Sequence, residues 1–78
     1  MKNYIFAKSI YFNPNKREIE IVFNDGRNFL FLVDLYQEFK FIPTNDLIEV
    51  EIGFYGTAIC LKKHDLHVLI EGLMKYKF

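Results

Sequence analysis

Apolar and polar side chains alternate most clearly over residues 17–33 of this chain. On the first arm, Ile19, Ile21 and Phe23 share one face of an extended strand, and Glu18, Glu20 and Val22 share the other. Asn24-Asp25-Gly26 follows, and then Arg27-Asn28-Phe29-Leu30-Phe31-Leu32-Val33. Asp-Gly between two such arms signals a β-hairpin, because glycine takes positive φ without steric cost. Two registers compete. A two-residue loop at Asp25-Gly26 sets Val22 opposite Phe29 and Ile21 opposite Leu30. A three-residue loop ending in a Gly26 bulge sets Ile21 opposite Phe29 and Ile19 opposite Phe31, which exchanges the faces. The second is favoured, since it gathers Ile19, Ile21, Phe23, Phe29 and Phe31 and leaves Leu30 and Leu32 behind Glu20 and Val22. In either register the third strand is apolar on both sides. Its second side therefore needs a cover, either a helix or another copy of the protein.

The flanking segments extend this pattern. Residues 4–12, rich in Ile, Phe and Tyr, predict a first strand, and Asn13-Pro14-Asn15-Lys16 predicts the turn that makes it an antiparallel neighbour of the second. In residues 34–41, Leu35 and Phe39 followed by Ile42 fall at near-helical spacing, with Asp34 as a cap. Pro43 ends that turn, and Thr44-Asn45-Asp46 reads as a loop. Residues 47–61 predict a second hairpin around Gly53-Phe54-Tyr55-Gly56. A two-residue or a four-residue loop there gives the same parity, with Ile48, Val50, Ile52, Ile59 and Leu61 inward and Glu49, Glu51 and Cys60 on the other face. Asp65 then reads as the N-cap of a terminal helix carrying Leu66, Leu69, Ile70, Leu73 and Tyr76 at a period near 3.6. Gly72 within it suits close approach to the sheet, and Lys75 and Lys77 complement the helix dipole. Together these elements predict one small α+β domain over residues 1–78: an antiparallel β-sheet of hairpins, four to five strands, with a C-terminal helix packed on one face.

Composition sharpens this in two ways. A chain of 78 residues buries only about 60% of the surface it exposes when unfolded. Yet 51% of its residues are hydrophobic, nine Phe and five Tyr among them, more apolar surface than one small core hides, so self-association is expected. The net charge is zero, which argues against direct nucleic-acid binding through clustered cations. The charges are unevenly ordered, with a net of −6 from Glu18 to Glu51 and +6 outside that window. Cys60 is the only cysteine, so there is neither an internal disulfide nor a CxxC pair, as expected of a cytoplasmic protein. Lys8 interrupts the N-terminal apolar run, and nothing approaches the ~20 apolar residues of a membrane span.

Candidate chemistry is sparse. His64-Asp65-x-His67, with Cys60 upstream, is the one group resembling metal ligands or a nucleophile pair. Asp65 is accounted for as a cap and Cys60 as a buried strand residue, so neither a metal or cofactor site nor a catalytic residue is assigned. Glu18, Glu20, Glu49 and Glu51 alternate outward from strands. They either solubilise a sheet face or form an acidic contact surface; paired acids of the hydrolase kind are the remoter use. Gly53-x-x-Gly56 lacks the Lys and helix of a phosphate-binding loop. Phe54 and Tyr55 at that turn either anchor a contact or pack back on the sheet edge.

The order Ile19-x-Ile21-x-Phe23-Asn24-Asp25-Gly26, then Val33-Asp34-Leu35, then Ile48-x-Val50-x-Ile52, Gly56-Thr57-Ala58-Ile59 and Asp65-Leu66 ahead of Leu73, resembles the small bacterial family called domain of unknown function 2442. The resemblance spans roughly residues 6–73 and rests mainly on turn and strand chemistry. It implies a compact α+β domain with an antiparallel sheet. Such domains look like stand-alone small proteins, partners of a protein encoded nearby, or front ends of regulators bearing a helix-turn-helix. The chain departs from the family in having Leu61-Lys62-Lys63 where an aromatic, often Trp, is common. With no helix-turn-helix following, DNA reading by an appended domain is not expected. The expected function is a non-enzymatic protein-interaction or regulatory module, with a protein partner or a homo-oligomer at Glu18, Glu20, Glu49, Glu51, Leu30, Leu32, Phe54 and Tyr55. The alternatives are a small acidic-faced inhibitor of a nucleic-acid-handling protein and a small-ligand-binding domain.

Overall fold

A computed structural model describes residues 4–75 of the chain. Two antiparallel meanders follow one another: β1 (Ala7–Asn13), β2 (Glu18–Phe23) and β3 (Asn28–Leu32) form one three-stranded sheet, and β4 (Glu51–Gly53), β5 (Ala58–Leu61) and β6 (Leu66–Leu69) form another. Between them run a 3-10 turn (Val33–Leu35), further turns and the short helix α1 (Thr44–Leu47); a second 3-10 turn (Lys62–His64) joins β5 to β6, and α2 (Ile70–Met74) follows β6.

The first hairpin adopts the register that buries the rings. Ile21 lies opposite Phe29 and Ile19 opposite Phe31. Phe23 N–H donates to Arg27 O at 2.8 Å, closing a three-residue loop in which Gly26 takes a φ of +92°. The expected turn before β2 is present as well: the Asn13 side-chain oxygen accepts the N–H groups of Asn15 and Lys16. Ile19, Ile21, Phe31, Val33, Phe39, Leu47, Ile59, Leu61 and Leu73 are buried in one core. Phe31 is central to it, stacked on Phe29 (5.4 Å between ring centroids) and edge-on to Tyr36 (5.0 Å). The Tyr36 hydroxyl donates to Leu73 O at 3.2 Å, which ties the linker to α2.

Several expectations are corrected. The expected single sheet of four to five strands is two sheets. The helix expected from Asp65 is instead β6 followed by α2, because Asp65 takes a left-handed φ of 51° and turns the chain back, so that Leu66 pairs with Leu61 and Val68 with Ile59. Leu66, Val68 and Ile70 point inward at strand spacing, and only Ile70 and Leu73 keep the helical pattern. Gly72 is exposed with open space around it rather than against a sheet; Tyr76 and Lys77 lie outside the described residues. Asp34 sits inside the 3-10 turn, preceded by Leu32 as its cap position, and Leu35 is exposed while Phe39 and Ile42 are buried. Thr44-Asn45-Asp46, expected as loop, and Leu47, expected to open the second hairpin, form α1 behind Pro43. The second hairpin starts at Glu51, so Ile48, expected inward, sits in a turn and is 59% exposed. The first strand starts at Ala7 rather than Tyr4, and Asn24 holds the preceding segment by accepting from Phe6 N–H and donating to Tyr4 O.

The sheets meet at the turn before β5. Ala7 N–H donates to Gly56 O at 2.8 Å and so joins the sheets, while Ile70 N–H donates to Thr57 O at 2.9 Å and continues the β5–β6 ladder of the second. Gly56 has a φ of +84°, and a β-carbon there would lie 2.7 Å from Phe6 Cβ and 2.9 Å from Ala7 O, whereas at Gly26 it would meet nothing within 4 Å. Gly26→Ala therefore meets only the left-handed backbone cost of about 1–2 kcal/mol. Gly56→Ala adds a clash at the junction and should lower the urea midpoint clearly further. Equal losses for the two variants would contradict this account of the junction.

Candidate interaction surface

The parity that turns Phe29 and Phe31 inward with Ile19 and Ile21 turns the alternate residues of the first sheet outward. Cross-strand pairing aligns Tyr11 with Glu20 and Glu20 with Leu30, and likewise Asn13 with Glu18 and Glu18 with Leu32. Tyr11, Leu30 and Leu32 are 58%, 49% and 43% exposed, so large apolar side chains flank Glu20 on both sides and Glu18 on the β3 side. Glu20 accepts a hydrogen bond from the Asn28 side chain at 2.8 Å. Among the described residues β2 is the one strand hydrogen-bonded to β3, and Asn28 at the start of β3 shares a groove with Glu71 and Met74 of α2.

The backbone adds to this surface. Phe23 N–H donates to Arg27 O, and Val33 N–H donates to Arg17 O at 2.9 Å. These bonds set the ladder phase, so Phe29 and Phe31 point their N–H and C=O groups at β2, while Asn28, Leu30 and Leu32 point theirs away. The outer flank of β3 therefore combines exposed apolar side chains with a strand edge that is unpaired among the described residues.

The comparisons with known proteins are consistent with this architecture. The family described as protein of unknown function (DUF2442) matches residues 7–78. The chain belongs to that family. A crystal structure at 2.75 Å of a protein of unknown function from Rhodospirillum rubrum ATCC 11170 superposes with a TM-score of 0.84 at 22% identity, covering 92% of this chain and 87% of that one. That likeness establishes the fold. No curated protein matches the sequence.

The other expected contact residues of this DUF2442 domain are dispersed. Glu18 and Glu20 belong to the first sheet, Glu51 to the second, and Glu49 to the turn ahead of β4. Lys62 Nζ lies 3.9 Å from the Glu51 carboxylate. Phe54 and Tyr55 form the tip of the second hairpin, both left-handed, with φ of 52° and 58°, a costly conformation for large side chains. Tyr55 is 99% exposed, while Phe54 sits edge-on to His67 with ring centroids 5.1 Å apart. His64 reaches instead to Asp46, 2.9 Å from Nε2 to Oδ2. The two histidines thus have separate partners, and no group of three or more metal-ligating side chains assembles among the described residues. Cys60 is a buried free thiol on β5. A groove of about 650 Å³ lies between Ile5, Phe23, Leu69 and Met74. Its polar lining, Arg27, Asn28, Glu71 and Lys75, is exposed, unlike the convergent buried polar groups that orient a ligand.

Two polar clusters were not apparent from the sequence. Arg17, itself left-handed with φ 49°, donates through Nε to Asp34 Oδ1 (3.0 Å), through Nη1 to Thr44 Oγ1 (2.8 Å), and through Nη2 to the carbonyls of Lys40 and Ile42. It pins the irregular linker to the end of the sheet. Asp46 accepts from Lys63 Nζ at 2.8 Å as well as contacting His64. The hydrogen bond from Lys63, and then that from His64, holds the Asp46 carboxyl below the usual aspartate range, and Asp46 in turn raises the Lys63 ammonium.

A carboxyl lowered on folding stabilises above its unfolded value, near pH 4, and loses that contribution as acid protonates it in the fold. An ammonium raised on folding stabilises below its unfolded value, near pH 10.4, and loses it above. Asp46→Asn should therefore flatten both the acid and the alkaline limbs of the urea midpoint against pH. The acid limb shrinks rather than vanishes, because the Arg27 backbone N–H, above all, also lowers Asp25. Wild-type and variant curves that stay parallel throughout would contradict the pairing.

Proposed function

We propose that this domain is a non-enzymatic protein-interaction module whose contact surface is the outer flank of β3 and the adjoining face of its sheet. The observation that carries this reading is the exposure of Leu30 and Leu32 on a strand whose edge is also unpaired among the described residues. Water-facing leucines stabilise a lone domain little, and an unpaired edge is a feature that isolated proteins usually blunt. Tyr11 enlarges the apolar area, and Glu18 and Glu20 between the flanks favour a partner that brings donors or positive charge to the centre of the contact. Among the described residues the buried titratable side chains are Tyr36, whose hydroxyl donates to Leu73 O, and Cys60, and the reading calls on neither as an acid, base or nucleophile. The lone buried thiol of Cys60 suits a cytoplasmic setting, and among the described residues no helix is long and apolar enough to cross a membrane.

An acidic-faced inhibitor has weaker support, because its four glutamates are divided between two sheets and Lys62 lies beside Glu51. The discriminating experiment is affinity capture from the native host with three baits: wild type, Leu30→Lys/Leu32→Lys, and Phe41→Ser/Tyr55→Ser, which removes exposed rings elsewhere. The reading expects a discrete set of proteins, this chain itself included, to be lost from the first variant and kept by the second. Identical capture by all three baits, or capture of nothing, would contradict it.

A further inference from the structure

We infer that the occupant of the β3 edge is a second copy of this chain, paired antiparallel to the first so that two three-stranded sheets become one continuous sheet across a two-fold axis. The inference rests on the interaction surface proposed above and names its partner.

Three features of β3 point to self-pairing. The strand Asn28-Phe29-Leu30-Phe31-Leu32 pairs with β2 without a register shift and contains no charge and no proline, so it carries none of the usual devices that stop an edge from pairing. Its outward N–H and C=O groups belong to Asn28, Leu30 and Leu32, which fixes the phase of any added strand. One antiparallel register uses all of these groups: Leu30 opposite Leu30 of the second copy, and Asn28 opposite Leu32 of the second copy. That same register sets Phe29 of one copy beside Phe31 of the other at non-hydrogen-bonded positions, where side chains approach most closely and aromatic pairs are favourable.

The charges flanking the strand select the direction. Arg27 precedes β3 and Asp34 follows it, with side chains 72% and 60% exposed. Antiparallel pairing brings Arg27 of each copy towards Asp34 of the other, at both ends of the seam. Parallel pairing would bring like charges together. Each residue already has an intramolecular partner, Asp25 for Arg27 and Arg17 for Asp34, and the second contact adds to the first. The two-fold contact is also self-limiting, because it consumes the free edge of both copies. At the opposite side of the sheet, β1 is already engaged at Ala7 by Gly56.

The register makes the test specific. In a Cys60→Ala background, which removes the native thiol, Leu30→Cys and Leu32→Cys are compared under mild oxidation at the high concentration where the wild type is expected to pair. In the inferred register the two copies of residue 30 are opposed, with Cα atoms about 5.5 Å apart, within disulfide reach. The two copies of residue 32 are separated by four residues of strand, roughly 13 Å, beyond it. The expected result is a disulfide dimer for Leu30→Cys and none for Leu32→Cys. Light scattering should give twice the chain mass for wild type at high concentration and the single mass for Leu30→Pro, which deletes an N–H that β2 does not use. If Leu30→Pro loses the wild-type circular dichroism, Leu30→Lys replaces it with the same expectation. Equal cross-linking of both cysteine variants, cross-linking of neither, or a wild type that stays monomeric would overturn self-pairing. If self-pairing fails while Leu30→Lys/Leu32→Lys still loses a captured partner, the interaction surface stands and its occupant is a different protein.

Discussion

The phase of the β2–β3 ladder is the constraint from which the rest of this structure follows. A side chain on a strand has two sides to choose from, and moving the hairpin by one residue would exchange them all. Gly26, left-handed at φ +92°, and the hydrogen bond from Phe23 N–H to Arg27 O hold the three-residue loop that places Phe29 and Phe31 inside. Phe31 then becomes the point on which Phe29, Tyr36 and Phe39 converge. The Tyr36 hydroxyl carries that cluster to α2 through Leu73 O. The same phase exposes Leu30 and Leu32 and turns their backbone groups away from the sheet. Core and contact surface are thus two consequences of one choice.

The linker between the sheets shows how a small chain fixes irregular backbone without a long helix. Its buried side chains, Val33, Tyr36, Phe39, Ile42 and Leu47, cover the core, but its turns leave carbonyl groups that need donors. Arg17 supplies several from a single planar guanidinium, to Asp34, Thr44 and the carbonyls of Lys40 and Ile42. A lysine has one ammonium and could not span that set. On the far side of α1, Asp46 is held by Lys63 and His64 from the turn after β5. The linker is thereby tied to the first sheet from Asp34 to Thr44 and to the turn after β5 at Asp46.

Much of the first sheet was legible because its determinants are local. Strand alternation, the Asn-Asp-Gly turn and the Asn13 turn act over a few residues, and the antiparallel α+β character and the family followed from them. The terminal helix was misread because Leu66, Leu69, Ile70 and Leu73 fit a helix while Leu66, Val68 and Ile70 fit a strand. The choice was made by β5, all four of whose residues are buried and which takes a strand on each side. Asp65, read as a cap, serves instead as a left-handed hinge. Arg17 and Asp46 were missed for a simpler reason. Their partners lie 17 to 27 residues away, so nothing in their own neighbourhood marks them. Leu30 and Leu32 were visible as a surplus of apolar surface, whereas the free edge beside them needed the ladder phase to be seen.

Residue-resolved amide exchange at two protein concentrations tests the central claim most directly. In dilute solution Phe29 and Phe31 should be protected and Leu30 and Leu32 should exchange rapidly. At high concentration Leu30 and Leu32 should gain protection while Phe29 and Phe31 change little. Protection of Leu30 and Leu32 in the dilute chain, or exchange at those two amides that is indifferent to concentration, would contradict the account.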